Sequence, residues 1–212
     1  MAKKQKKLIR KKPIQKRAEN TVTDILEAAT KLLNELGEAK FHQFGTTELA
    51  KKCGVSIGTL YQYFPDKETI LAELLDHRNK IDMSIATRVI QEHSRDPLPK
   101  VISIAMKEII NQSYIPLHNL YRIVAIHRDD IVRVETNAVI QEKSVDTVQQ
   151  LLEARQKEIG SKHPRHLAFL IVRTYIDVLR SIMRFRPEYV RDPIFIDTFC
   201  DFMTSSLQPK KS

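Results

Sequence analysis

The chain has 212 residues, of which 42% are hydrophobic, and its formal net charge is +9. This length is sufficient for a small unit and a larger domain with its own core. It contains no run of 18 apolar residues, which excludes a predicted membrane span, and its charged N-terminus lacks the apolar segment of a secretory signal. Cys53 and Cys200 are too far apart to suggest a disulfide framework or metal cluster, so we expect a protein of the reducing cytoplasm.

The positive charge is concentrated at the N-terminus. Residues 1–17 contain nine Lys and Arg residues and no acid, and the rest of the chain has 26 basic and 26 acidic residues. From residue 18 to residue 72, five lysines are outnumbered by eight acids. We expect residues 1–17 to be disordered. They are either a solubilising tail or a basic extension that contacts nucleic-acid phosphates.

The first predicted helix begins near Thr21, which Asp24 follows at the spacing of an N-terminal cap, and it ends at Gly37. Its apolar residues recur at steps of three and four from Val22 to Leu36, which indicates one buried face.

The segment from Thr46 to Lys67 predicts two short helices joined by a tight turn. Ala50 is small where two helices must cross closely, and Gly54 lies at the break, where a positive φ is easiest without a Cβ. Val55 and Leu60 are spaced to fill the joint from the second helix. This is the layout of a helix-turn-helix unit, whose second helix lies in the major groove of DNA.

Residues 18–77 resemble the DNA-binding domain of the TetR (tetracycline repressor-like) transcription regulators. The residues that match are TTELA from Thr46, GVS from Gly54 and GTLYQYFPDKE from Gly58. The resemblance implies an all-α fold, with a three-helix helix-turn-helix domain at 18–78 and a helical effector-binding and dimerisation domain at 79–208. It also implies a homodimer that binds a palindromic DNA operator.

Candidate DNA contacts follow from residue type. Thr46 or Thr47 caps the first helix of the motif, Ser56 begins and caps the second, and Gln62 can form paired hydrogen bonds to adenine. Tyr hydroxyls and a lysine at the start of the next helix suit phosphates. The full set is Thr46, Thr47, Ser56, Ile57, Gly58, Thr59, Tyr61, Gln62, Tyr63 and Lys67. Alternatively, the role of Ser56 is purely structural, as the cap of this helix.

Two positions differ from what is common in the family: Ile57 stands where Lys or Arg is frequent, and Gln62 where His is frequent. Because this domain is slightly acidic, we favour the phosphate-binding interpretation of the basic arm, with contacts from Lys11, Lys12, Lys16 and Arg17.

The rest of the chain shows helical signals throughout. Asp66 is placed to cap a helix that continues through His77 towards Glu92. Further helices are predicted at 98–113, 116–127, 130–158, 164–185 and 192–207. Pro116, Pro164 and Pro193 each suit a first helical turn.

The resemblance implies a dimer interface formed by the last two helices and an effector cavity among the middle ones. The candidate interface residues are Phe169, Val172, Ile176, Leu179, Phe195, Phe199, Phe202 and Met203, any of which can instead belong to the subunit's own core. The candidate cavity residues are Met83, Met106, Tyr114, His118, Tyr121, His127 and Tyr175, with core or surface roles as the alternative. An aliphatic domain without tryptophan favours an apolar or amphipathic effector.

Other function classes have less support. No Ser/His/Asp or Cys/His arrangement, H-E-x-x-H motif or histidine ligand spacing is present, so we expect neither an enzyme nor a cofactor or metal site. The preferred function is a repressor that an effector releases from DNA. The alternatives are an activator, a DNA-bound nucleoid or cell-cycle factor, and a helical protein-interaction scaffold.

Overall fold

A computed structural model describes residues 16–127, 135–205 and 207, and within these ranges the chain is helical and has no β-strand. The α-helices are α1 (Lys16–Leu36), α2 (Thr46–Cys53), α3 (Ile57–Tyr63), α4 (Lys67–Glu92), α5 (Leu98–Ile109), α6 (His118–His127), α7 (Glu135–Ala154), α8 (Pro164–Phe185) and α9 (Pro193–Ser205). Short 3₁₀ or π segments lie at Glu38–Gln43, Ile110–Tyr114, Gln156–Glu158 and Pro187–Arg191. The all-α prediction is confirmed.

The helix α1 is longer at its N-terminal end than predicted. It begins at Lys16, so Thr21 lies inside the helix and is not its cap, and residues 16 and 17 are helical rather than disordered. The polar segment before the apolar stripe consists largely of good helix formers, which allows the helix to extend beyond its buried face. At the other end, Gly37 has a φ of 64° and ends the helix as expected.

Three later boundaries also differ from the predictions. The helix from Leu98 ends in a π-helical turn at Ile110–Tyr114, and α6 begins at His118, so Pro116 lies in the preceding turn. The helix predicted to end at residue 158 ends at Ala154, and its predicted start at residue 130 lies outside the described residues. The early end has a tertiary cause, because the Glu158 carboxylate accepts a hydrogen bond from the Leu98 backbone N–H at 2.8 Å.

Two apolar clusters form the interior. The N-terminal cluster contains the buried faces of α1 to α3 and the first half of α4, and the C-terminal cluster is built mainly from α5, α7, α8 and α9. The helix α6 belongs to both, since Leu120 and Ile123 are in the first and Ala125 is in the second. Among the described residues, no helix is both long and apolar enough to span a membrane.

Candidate nucleic-acid interface and internal cavity

A left-handed glycine sets the angle between α2 and α3. Gly54 has φ 67° and ψ 26°, and its N–H bonds to the Lys51 carbonyl at 3.2 Å. The next N–H, that of Val55, bonds to the Ala50 carbonyl at 3.1 Å. These bonds satisfy carbonyls at the end of α2, and a side chain at residue 54 would be strained. Because Ala50 and Leu60 are buried in the joint, the two helices meet as one rigid unit.

Ser56 caps α3, as predicted. Its hydroxyl oxygen accepts a hydrogen bond from the Thr59 N–H at 3.0 Å and lies 2.8 Å from the Thr59 hydroxyl oxygen. The Thr59 hydroxyl is therefore already engaged within the protein, and its side chain is only partly exposed. The primary role of Ser56 and Thr59 in this arrangement is to stabilise the start of α3.

The outer face of α3 is exposed and mainly uncharged. Ile57 is 44% exposed and Tyr61 is 41% exposed, and Gly58 and Gln62 are exposed beside them. Tyr63 lies on the opposite face and is buried in the N-terminal cluster, so its ring has a packing role. The surface that α3 presents thus contains an aliphatic side chain in its first turn and, one turn later, a phenol and a carboxamide.

The start of α2 differs from the prediction. Gly45 occupies the N-cap position without a side-chain hydrogen bond, so neither Thr46 nor Thr47 is the cap. The Thr46 hydroxyl oxygen lies 3.1 Å from the Tyr61 hydroxyl oxygen, which joins α2 to α3 across the motif. Thr47 is exposed in the first turn of α2, where backbone N–H groups have no partner within the helix.

Lys67 provides an available positive charge next to α3. It is the first residue of α4, whose cap is Asp66: the Asp66 carboxylate accepts hydrogen bonds from the Thr69 N–H at 2.8 Å and the Thr69 hydroxyl at 2.7 Å. Lys67 is exposed and forms no ion pair with any described carboxylate, whereas Lys52 is paired with Glu35.

Two of the four predicted arm contacts lie within the described residues. Lys11 and Lys12 lie outside the described residues, and Lys16 and Arg17 form the start of α1.

A cavity of about 200 Å³ lies among α4, α5, α6, α7 and α8. Five predicted cavity residues line it, namely Met83, Met106, Tyr114, Tyr121 and Tyr175. The other two do not. His118 is absent from the lining, and His127 is exposed and stacks on Phe41 with ring centroids 5.2 Å apart, because α6 turns that end towards the N-terminal cluster.

The polar wall of this cavity includes Asp82, which was not among the predicted cavity residues. The Asp82 carboxylate accepts hydrogen bonds from the Ser113 hydroxyl and, at 3.5 Å, from the Tyr121 hydroxyl. The buried Arg78 guanidinium donates to the Ser113 oxygen at 3.3 Å, and its Nε has no hydrogen-bond partner among the described residues. Burial raises the pKa of Asp82 from 3.8 to about 6, although Ser113, Arg78 and Tyr121 oppose the shift.

A signal for this cluster was present in the sequence. Arg78 and Asp82 are four residues apart and continue the helical spacing of Leu71, Leu75 and Val89, which are buried. Charged residues on a buried helical stripe indicate a polar site inside the protein.

The predicted interface residues divide into two groups. Val172, Leu179, Phe199 and Met203 are buried in the subunit's own core, Ile176 lines the cavity, and Phe195 packs against the core and stacks on Tyr189. Only Phe169 and Phe202 are exposed, at 50% and 66%. Three large apolar side chains that were not predicted are also exposed on these helices, namely Leu170, Phe185 and Ile194.

Comparison with known proteins agrees with this arrangement. Residues 25–74 match the family of bacterial regulatory proteins called the tetR family. A TetR-family transcriptional regulator from Pectobacterium atrosepticum is 20% identical and has a similar structure, with a TM-score of 0.68 over 92% of this chain and 100% of that chain. A transcriptional regulator from Cytophaga hutchinsonii is 16% identical, with a TM-score of 0.65 over 89% and 99% of the two chains.

Salmonella enterica GusR is 20% identical, with a TM-score of 0.59 over 92% of this chain and 98% of that chain. At these identities the similarity demonstrates a shared fold. No curated protein matches the sequence of this chain.

The raised pKa of Asp82 predicts a pH-dependent loss of stability. The unfolded carboxyl ionises near pH 3.8 and the folded one near pH 6, so ionisation is unfavourable in the folded state, and this cost develops between these values. The free energy of unfolding of the Asp82→Asn variant should therefore exceed that of the unchanged protein by about 1–3 kcal/mol at pH 7.5 and by much less at pH 4. Urea denaturation at the two pH values measures this difference. Asp24→Asn, at an exposed position, is the control, and an equal effect of Asp82→Asn at both pH values would contradict the prediction.

Proposed function

We propose that this protein, whose residues 25–74 match the tetR family and whose fold is that of TetR-family regulators, is a homodimeric DNA-binding repressor that a small effector releases from its operator. Regulators of this family are transcription factors rather than enzymes. The observation that supports specific recognition best is the exposed outer face of α3, which contains hydrogen-bonding and apolar groups but no charge. We place the protein in the cytoplasm, where its DNA is found.

The proposed DNA contacts follow from exposure. Gln62 projects from α3 with a carboxamide that can pair with adenine in the major groove, and Ile57 offers an apolar contact for a thymine methyl group. Gly58 allows the first turn of α3 to approach the bases closely. Tyr61 on α3 and Lys67 at the start of α4 are placed to contact phosphates, as is Thr47 at the start of α2.

A homodimer is supported by the surface of α8 and α9. Phe169, Leu170, Phe185, Ile194 and Phe202 are each at least half exposed on these two helices or at their ends. Large apolar side chains left exposed on neighbouring helices commonly mark a protein interface. One recognition helix contacts only a few base pairs, so a two-fold dimer is also what a palindromic operator requires.

The helix α6 offers a route from the cavity to the DNA-binding domain. Tyr121, Val124 and Ala125 line the cavity, while Leu120 and Ile123 pack in the N-terminal cluster. A ligand that displaces α6 would therefore also displace the attachment of α1 and, through it, the position of α3. We propose that effector binding favours a dimer geometry in which the two α3 helices no longer match the operator spacing.

Selection of bound DNA from a random pool at physiological salt tests the central proposal. We expect enrichment of a palindrome whose half-sites are related by a two-fold axis, because each subunit of the dimer presents one α3. A variant with Gly54→Val, which requires a strained left-handed backbone at the turn, serves as the control and should enrich nothing. A pool without enrichment for the unchanged protein would refute operator recognition.

Substitutions on and beside α3 should separate base recognition from phosphate binding. Gln62→Ala is expected to cost about 1–3 kcal/mol at one base pair of each half-site and to relax the preference there. Lys67→Ala should weaken binding to all sequences and lower the slope of log K against log salt by about 1 per half-site. Titration of matched operator variants by fluorescence anisotropy measures both effects. Uniform weakening by Gln62→Ala would show that this residue contacts only the backbone.

The dimer proposal predicts that a single substitution on α9 weakens the association of the two subunits. Phe202→Asp places a charge on the exposed apolar surface and should raise the dimer dissociation constant by about tenfold or more. Sedimentation equilibrium should show the unchanged protein at twice its chain mass of 24.6 kDa and the variant shifted towards the mass of a single chain. Ser84→Asp, on the exposed face of α4, is the control and should remain a dimer. A monomeric unchanged protein at micromolar concentration would contradict the proposal.

A further inference from the structure

We propose that the cavity binds a small amphipathic amine, whose protonated nitrogen contacts Asp82 and whose apolar body lies among α5, α7 and α8. This inference rests on the proposed function, since it names the chemical class of the effector. It is supported by the hydrogen bonds of Asp82, by the aromatic pair beside it, and by the apolar remainder of the cavity.

Asp82 is a cavity-lining carboxylate without a counter-ion in direct contact. Its two described hydrogen bonds come from neutral hydroxyls, those of Ser113 and Tyr121, and the second is long at 3.5 Å. No described cationic side chain lies within ion-pair distance of it, and the nearby Arg78 guanidinium donates to the Ser113 hydroxyl instead. A buried carboxylate is costly unless it is paired, and each of its oxygens can accept a further hydrogen bond. A ligand N⁺–H group would supply the missing partner.

An aromatic pair lies beside this carboxylate. The rings of Tyr114 and Tyr121 stack with centroids 4.0 Å apart and an interplanar angle of 13°, and both residues line the cavity. The face of an aromatic ring attracts a cation through its quadrupole, most strongly where water is excluded. A carboxylate next to stacked phenol rings is therefore a combination suited to an ammonium group.

The rest of the cavity suits an apolar body of limited size. The helices α5 and α7 line it with uncharged side chains, among them Ile102, Met106, Val148 and Leu151. Its volume of about 200 Å³ is somewhat larger than an apolar cavity of about 150 Å³ that accepts benzene. A single aromatic ring with a short aliphatic chain is a ligand of matching size.

The arginines near the cavity do not favour an anionic ligand. Arg180 lines the cavity, but its guanidinium lies 3.4 Å from the Asp177 carboxylate, so its charge is already paired. Arg78 is not among the lining residues, and the Ser113 hydroxyl stands between it and Asp82. An anion in the cavity would meet Asp82 directly and would be repelled once that carboxyl is ionised.

Calorimetric titration with three matched ligands tests the proposal without DNA. The probes are 4-phenylbutylamine, 4-phenylbutan-1-ol and 5-phenylpentanoate, which share one phenylbutyl body and differ in the polar group. At pH 7.5 the amine should bind about tenfold more tightly than the alcohol, and the carboxylate should bind most weakly. Asp82→Asn should weaken the amine about tenfold and leave the alcohol within about threefold, whereas Asp24→Asn should change neither.

The same titration of the amine at pH 5 and pH 7.5 gives a second measurement. The groups that interact with Asp82 are Arg78 from α4, Ser113 and Tyr114 from the π turn, Tyr121 from α6 and Tyr175 from α8, and Arg180 from α8 lines the same cavity. Burial raises the pKa of all three tyrosines, so they stay neutral, and the arginines stay charged. Only Asp82 among them changes charge in this interval, and amine affinity should be about tenfold weaker at pH 5.

Three results would overturn the inference: equal or tighter binding of the alcohol or the carboxylate, an unchanged amine affinity in Asp82→Asn, or no amine binding at millimolar concentration. These outcomes are independent of the DNA experiments. If the amine binds through Asp82 but leaves operator affinity unaltered, the site is established and effector release is refuted.

Discussion

The hydrogen bonds between Asn34 of α1 and the start of α6 connect the two halves of this molecule. The Asn34 carboxamide oxygen accepts from the backbone N–H groups of Asn119 and Leu120 at 3.1 and 3.4 Å, and its nitrogen donates to the Pro116 carbonyl at 2.9 Å. A side chain of one helix thus satisfies groups at the end of another that would otherwise lack partners. An ion pair between Arg122 and Glu38, at 2.7 Å, adds a second attachment near the same place.

Because α6 is attached in this way, one short helix contributes both to the wall of the cavity and to the N-terminal cluster in which α3 packs. The same short helix has side chains in both apolar clusters, so it cannot move without repacking each of them. Close-packed interiors change between discrete arrangements rather than by continuous deformation. This property makes α6 a suitable element for the proposed coupling of ligand binding to the position of α3.

The charges around Ser113, a buried arginine and a partly buried aspartate, have a cost to stability. Arg78 and Asp82 occupy positions on a helical stripe where apolar residues of similar size would pack without a desolvation penalty. A charged pair separated by a hydroxyl, next to a cavity, is better explained by the binding of a polar group than by stability. The unpartnered Arg78 Nε and the raised pKa of Asp82 are two consequences of the same incomplete compensation.

The features that depend on local chemistry could be predicted from the sequence alone. The all-α class, the glycine turn at Gly54, the caps at Ser56 and Asp66, and the extent of α4 all follow from backbone preferences within a few residues. Tertiary structure decided what covers each apolar face, because periodicity identifies a buried stripe but not its partner. Four predicted interface residues therefore lie in the subunit's own core, and His127 packs on Phe41 instead of lining the cavity. The pairing of Thr46 with Tyr61 and the cluster around Asp82 also depend on contacts between distant segments, which no local pattern specifies.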